Sequence, residues 1–214
     1  MNLFRLNKFQ LIPFILSLLI IYLCLFLFPN YASATTESGV FAGGCFWCLE
    51  HDFEDIKGIL SVDSGYTGGK STSPTYKNHK GHQEAIQVKY NSTILGFEDL
   101  LKIYWRNIDP YDDRGQFCDR GDSYRPVIYF SSIKQKDIAK ETFQNVSDEL
   151  SVPIDKLKVK LQKLEKFYIA EDYHQNFAKR NKLKYSFYRN ACGRDQKLDE
   201  VWGSNSRKGV DWEN

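Results

Sequence analysis

Methionine is almost absent: Met1 is the only one in 214 residues. A chain without oxidisable thioethers beyond its first residue suits an oxidising compartment. Net charge is equally scarce. The formal +2 comes from 29 Lys and Arg against 27 Asp and Glu, and Arg5 and Lys8 near the N-terminus supply the excess. The rest of the chain is close to neutral, so it presents no basic footprint for nucleic acid. The lysine-rich stretch KLKVKLQKLEK (156–166) alternates as a strand with one wet face. Internal repeats and low-complexity tracts are missing too. So are paired metal-ligand spacings. Cys45-x-x-Cys48 with His51 has some zinc-like spacing, but no second pair accompanies it, and Cys118 and Cys192 are scattered singles. No metal is expected. His79 and His82 are expected on a surface loop, and His174 is expected to pack or hydrogen-bond.

One long apolar run is present, LIPFILSLLIIYLCLFLF (11–28), preceded by Arg5 and Lys8 and followed by Ala32-Ser33-Ala34. A basic start, an apolar middle and an A-x-A end form the pattern of a secretory signal. The run is also long enough to anchor the chain in a membrane if it is not cut. Leu23 before Cys24 argues against a lipoprotein site, leaving Cys24 as a small apolar residue of the run. The expected division is residues 1–34 as signal peptide, or an uncleaved anchor through 11–28, and residues 35–214 as one domain with one core. The expected location is exported, periplasmic or secreted, and the expected state is a monomer.

Four cysteines remain after residue 34: Cys45, Cys48, Cys118 and Cys192. Outside the cytoplasm an even count invites structural disulfides. A domain of this size does not need them, and the stretch GGCFWCLE (43–50) suggests redox work instead. VFAGG reads as a strand stopping at glycines. CFWCLEHDFEDIKG then repeats Phe46, Leu49, Phe53 and Ile56 at helical spacing. Cys45 at the start of that helix would be favoured as a thiolate by the helix field. The alternative reading makes the aromatics core and the thiols an inert bridge. Strands follow over 59–69, 83–91, 127–130 and 157–167. Helices follow over 97–108, 134–150 and 170–182. Residues 111–126 form a long loop, and the last thirty residues read as irregular. This pattern gives an α+β fold, a two-layer αβ sandwich with a four-strand core. Its expected form is a ferredoxin-like core with a mixed sheet and a long irregular C-terminal tail.

These residues resemble a family. GGCFWCLE is similar to the signature of the A-type peptide-methionine sulfoxide reductases. GYTGG (65–69) with SPTY (73–76) and GHQEAI (81–86), GQFCDRGDSYRPVIYF (115–130), FYIAEDYHQNF (167–177) and CGRDQKLDEVWG (192–203) match further blocks in order. The last looks like the tail of the subgroup that carries GCFWC. The match runs from about Val40 to Gly203, so residues 35–214 read as a single catalytic domain.

The chemistry also follows from residue types. A sulfur nucleophile takes oxygen from a sulfoxide only if that oxygen is protonated and hydrogen-bonded. Glu84, buried beside aromatics, is the candidate acid, and Tyr76 and Tyr124 offer O–H groups. Asp119 is expected to hold one of these donors or a water. Phe46 and Trp47 would cradle the S-methyl group. The resemblance implies these same roles, selectivity for the S epimer, and no cofactor beyond an external thioredoxin-like dithiol reductant. Taken singly, Glu84 would read as a solvated edge residue, Tyr76 and Tyr124 as ordinary tyrosines, and Asp119 as a turn residue. In the expected cycle Cys45 becomes a sulfenic acid and a second thiol condenses with it. Cys192 is favoured as that partner, with Cys48 as competitor or relay and Cys118 as a third option or a buried bystander thiol. Methionine sulfoxide, free or in proteins, is the expected substrate. The rival readings are a secreted thioredoxin-like CxxC disulfide oxidoreductase and a binding module with two structural disulfides. The first would need a longer strand–helix–strand before the motif than this chain has.

Overall fold

A computed structural model describes residues 35–208; the expected signal or anchor segment, 1–34, lies outside the described residues. In chain order the elements are β1 (Thr36–Ala42), α1 (Phe46–Phe53), β2 (Ile59–Thr67), β3 (Gln83–Asn91), α2 (Phe97–Arg106), the short pair β4 (Gly115–Gln116) and β5 (Asp119–Arg120), β6 (Val127–Phe130), α3 (Ile133–Glu149), β7 (Lys160–Lys163), β8 (Phe167–Ile169), α4 (Phe177–Arg180), α5 (Lys182–Ala191) and α6 (Arg194–Trp202). No helix among the described residues is long and apolar enough to cross a membrane.

Four strands lie in the order β6-β1-β3-β2, all neighbours antiparallel. With α1 between β1 and β2 and α2 between β3 and β6, this is the β-α-β-β-α-β ferredoxin-like pattern expected from the sequence. Two more strands extend it. β7 joins β6 in parallel and β8 joins β2 antiparallel, making a mixed six-stranded sheet.

The single strand predicted over 157–167 is therefore two strands on opposite edges. Only residues 164–166 connect them. Three residues span at most about 14 Å between the flanking strands, whereas six flat strands would put the edges roughly 24 Å apart. The sheet must curl so that its edges approach. Leu164 and Phe167 pack against Val40, Ala42, Ala85, Val127 and Tyr129 on one face of the curl, which explains why an apolar alternation continues through the crossing.

The other face carries the main core. Alternation along β1 sends Phe41 to this side and Val40 and Ala42 to the other. The Phe41 ring meets Phe53, Phe97 and Tyr104 at centroid distances of 5.6, 5.9 and 5.3 Å. α2 forms because Phe97, Leu100, Leu101 and Tyr104 recur on one face, and the Asp99 carboxylate accepts the Gly96 N–H at 2.8 Å to close its start. The Tyr104 hydroxyl then donates to the Ala42 carbonyl at 2.8 Å. That bond pins the strand end from which the reactive loop departs.

The C-terminal region is not irregular: it folds as α5 and α6. Its helical signal is hidden because arginines hold core positions. The inward residues of α5 are Tyr185 and Arg189, while Leu183 and Phe187 stand 89% and 78% exposed. α6 buries Arg194 beside Leu198 and Trp202. Apolar periodicity cannot report such a helix. The helix predicted over 170–182 shrinks to α4, because Asn176 takes a left-handed φ of 51° and breaks it.

Candidate active site

β1 delivers the chain to Gly43-Gly44, and the backbone turns there into α1. Gly44 has a φ of +88°, and a Cβ on it would sit 2.9 Å from the Gln116 Cβ. Only glycine fits that conformation and approach. We expect Gly44→Ala to cost roughly 1–3 kcal/mol of stability, read as a lowered urea midpoint; an unchanged midpoint would show that the loop relaxes freely.

Cys45 is the N-cap of α1, and its carbonyl accepts the N–H groups of Cys48 and Leu49 at 3.1 and 3.4 Å. The first free N–H groups of the helix point at two carboxylates. Phe46 N–H donates to Glu84 Oε2 at 3.1 Å, and the Cys45 N–H pulls the nearby Asp119 carboxyl down. The helix start therefore serves two acids more than the sulfur. Glu84, on β3, is 2% exposed, so it is no solvated edge residue. Burial pushes its carboxyl up to about 8, against the pull of the Phe46 N–H and with help from Asp119. Burial raises Asp119 too, opposed by the Tyr188 hydroxyl that donates to its Oδ2 at 2.6 Å.

These acids correct the expectation of a resting, exposed thiolate at Cys45. Cys45 is 6% exposed. Burial, the hydrogen bond with Cys48, and the charges of Glu84 and Asp119 hold its thiol well above the usual range. At rest it is an S–H. Cys48, buried behind it, is shifted the other way, first by the Cys45 hydrogen bond and then by Arg194 and Arg189. Arg189 and Arg194 both reach Asp52, at 2.7 and 3.4 Å, so α5 and α6 are tied to α1 at this point.

One cavity of about 70 Å³ is lined by Cys45, Phe46, Trp47, Tyr76, Glu84, Asp119, Tyr124 and Tyr188. Every site residue named from sequence is in that wall except the thiols Cys48, Cys118 and Cys192. Burial keeps the Tyr76 and Tyr124 phenols protonated, with the Glu84 charge acting in the same direction. A much larger groove, about 1010 Å³, runs past His51, Asp55, Lys182 and Tyr185. It holds none of the catalytic or substrate-binding residues expected from sequence, so size does not mark the site here.

The aromatic wall is built from distant segments. Trp47 stacks on Phe177 at 3.7 Å, and its N–H donates to His174 Nδ1 at 3.0 Å. His174 packs on Phe46 and Tyr76. Glu171 accepts from the Tyr66 hydroxyl and the Tyr76 N–H, both at 3.0 Å. Glu50 accepts the N–H groups of Asn176 and Phe177 at 2.9 and 3.4 Å, and burial lifts it to about 7. His82 is not on the surface: it is buried, with Gly69 N–H donating to its Nδ1 at 3.3 Å. Tyr188, Glu50 and Glu171 were not singled out from sequence. Glu50, inside GGCFWCLE, and Glu171, inside FYIAEDYHQNF, carried a usable signal. Tyr188 lies in the stretch read as irregular.

Cys192, the C-cap of α5, is bonded to Cys118 with a Cα–Cα distance of 4.9 Å, while Cys45 and Cys48 are free. Cys118 is exposed, not a buried bystander. Asp119 holds Tyr188, a residue outside the expected pair of phenols.

A family model described as peptide methionine sulfoxide reductase matches residues 37–206. The peptide methionine sulfoxide reductase MsrA 2 of Caulobacter vibrioides is 46% identical over 179 residues, 82% of this chain and 90% of that one. The MsrA of Bacillus subtilis is 42% identical over 176 residues, 80% of this chain and 99% of that one. Among solved structures, methionine sulfoxide reductase A of Corynebacterium diphtheriae superposes with a TM-score of 0.65 at 26% identity, covering 71% of this chain and 78% of that one. Reduced Mxr1 of Saccharomyces cerevisiae gives 0.62 at 26% identity, covering 72% and 90%. A buried thiol between two carboxyls, the fold around it and these matches agree: the chain belongs to the peptide methionine sulfoxide reductase family, A type.

Proposed function

We propose that this chain reduces methionine S-sulfoxide, free or in proteins, to methionine, with Cys45 as the nucleophile and an external thioredoxin-like dithiol as the source of electrons. The observation that carries this reading is the cavity itself. One small space brings a thiol, two carboxyls, three phenols and an aromatic pair together.

The atoms balance as follows. The sulfoxide oxygen enters among the Tyr76, Tyr124 and Glu84 O–H groups, and its methyl lies on Phe46 and Trp47. Glu84 gives its proton to the oxygen and takes the one that Cys45 releases as its sulfur attacks. Oxygen passes to Cys45, which becomes a sulfenic acid, and methionine leaves with the electron pair. A thiol held until this moment as S–H needs no stabilised resting charge, which matches the raised Cys45. Asp119, held by the Tyr188 hydroxyl, is a positioning residue in the same wall as Cys45. A second thiol then condenses with the sulfenic acid and expels water. Cys192 is our choice for that step, and the reductant restores the dithiol by exchange.

Export belongs to the same reading: residues 1–34 direct the catalytic domain, 35–214, out of the cytoplasm, supported by the A-x-A pattern at Ala32-Ser33-Ala34. N-terminal sequencing of the purified protein tests it, since an intact Met1 would replace cleavage by anchoring.

The activity is tested by supplying each epimer of methionine sulfoxide with dithiothreitol and measuring methionine. The S epimer is expected to be consumed and the R epimer left. No methionine from either would overturn the proposal, and insulin reduction without sulfoxide turnover would favour the disulfide exchanger.

A further inference from the structure

Trp47 is held by one short segment. Its N–H donates to His174 Nδ1 at 3.0 Å, and its ring lies on Phe177 at 3.7 Å with an interplanar angle of 7°. What fixes residues 174–177 therefore fixes the indole. β2 holds the middle of the segment: the Gln175 amide accepts the Ser64 N–H at 2.9 Å and donates to the carbonyls of Ser64 and Ala170 at 3.0 and 2.9 Å. The start of α4 is held differently. An asparagine at an N-cap ordinarily caps its own helix, but Asn176 makes no such bond and takes a left-handed φ of 51°. The N–H groups of Asn176 and Phe177 turn instead to Glu50 Oε1 and Oε2, at 2.9 and 3.4 Å. Glu50 is 1% exposed and stands on α1, one helical turn after Trp47. At that spacing the carboxyl and the indole share one side of the helix. A plain staple between α1 and α4 has no need of a buried carboxyl, whose desolvation is costly. A cap from residue 176 itself would close the helix.

We propose that Glu50 is a positioning residue for substrate binding: by clamping the backbone of Asn176 and Phe177 it sets the plane of the Trp47 ring, and with it the apolar wall that receives the substrate's S-methyl group. This rests on the sulfoxide reductase reading above. Trp47 lines the cavity of about 70 Å³, and Glu50 is not part of that wall. Its effect travels through Phe177. In so small a space a tilt of the indole is felt as lost contact with a single methyl. The reacting acids are held from elsewhere: Glu84 by the Phe46 N–H and Asp119 by the Tyr188 hydroxyl. Loss of the Glu50 clamp should therefore weaken binding and spare the chemistry.

That separation is measured with free methionine S-sulfoxide and dithiothreitol. Glu50→Ala is expected to raise KM about 10-fold, the worth of a displaced apolar contact, and to leave kcat within about twofold. Glu50→Gln can accept from only one of the two N–H groups and turns an N–H of its own on the other, so its KM should rise about 3-fold. Trp47→Ala removes the ring that Glu50 serves. Adding Glu50→Ala to it should raise KM no further, because the two residues act as one unit. A staple that only stabilised the fold would give effects that multiply. Multiplying effects in the double variant, or a fall in kcat at constant KM, would overturn the proposal. So would a wild-type KM in Glu50→Gln, even where the alanine variant does not fold. No methionine from the wild type would strike the reductase reading itself, and this inference with it.

Discussion

Cys45→Ser is expected to abolish sulfoxide turnover, lowering kcat/KM by about 10⁴-fold or more. The hydroxyl is a far poorer nucleophile than the thiol and cannot cycle through a sulfenic acid. The effect is chemical and not structural. Cys45 is buried but lines a cavity, and serine leaves the N-cap of α1 occupied by a residue that favours it. Methionine formation with dithiothreitol as reductant measures the loss, and a thermal melt within a few degrees of the wild type confirms the fold. Retention of more than a tenth of the activity would move the nucleophile elsewhere, with Cys48 the first place to look. The raised Cys45 thiol adds a second readout. In the wild type, alkylation of Cys45 by iodoacetamide should be slow at pH 7 and quicken steadily as pH rises toward and beyond the usual thiol range. Fast labelling that does not vary with pH would restore the resting thiolate first expected from the helix start.

Glu84→Gln should move activity and stability in opposite directions. Loss of a proton donor costs about 10²–10⁴-fold in kcat. The wild type should lose kcat/KM as pH rises past about 8, where Glu84 gives up its proton, and the variant should lose that alkaline limb. The stability effect follows from the same value. The folded carboxyl is raised from 4.5 to about 8, so between those limits the unfolded chain releases a proton that the folded chain keeps. Stability therefore falls as pH rises through that window and is highest, as far as this group is concerned, below it. At pH 7 the cost is on the order of 3 kcal/mol. Glutamine keeps an acceptor for the Phe46 N–H and carries no ionisation penalty, so the variant should withstand more urea at pH 7 and show little gain at pH 4. A variant that is less active and also less stable at pH 7 would mean that Glu84 is ionised in the folded protein.

The agreement between sequence and fold is uneven for physical reasons. Period-two and period-3.6 alternation marks the ferredoxin-like core because Phe41, Ile86, Val88 and Ile128 meet the apolar faces of α1, α2 and α3. The same alternation misleads at 157–167, where one apolar pattern serves two edge strands. Alternation reports which residues are buried, not which sheet edge buries them. It fails for α5 and α6, whose inward residues include Arg189 and Arg194 paired with Asp52. A buried ion pair looks in sequence like surface.

The site divides along the same line. The resemblance carried by five ordered motifs brought Cys45, Phe46, Trp47, Tyr76, Glu84, Asp119 and Tyr124 together; residue chemistry gave each a role but, taken singly, left Glu84, Tyr76, Tyr124 and Asp119 with ordinary readings. Three things were decided only by tertiary structure. Tyr188 reached Asp119 across 69 residues of chain, Cys118 met Cys192 across 74, and Cys45 became a neutral, enclosed thiol. Each depends on distance and solvent exclusion between segments far apart in the chain, and a linear order of residues carries neither quantity.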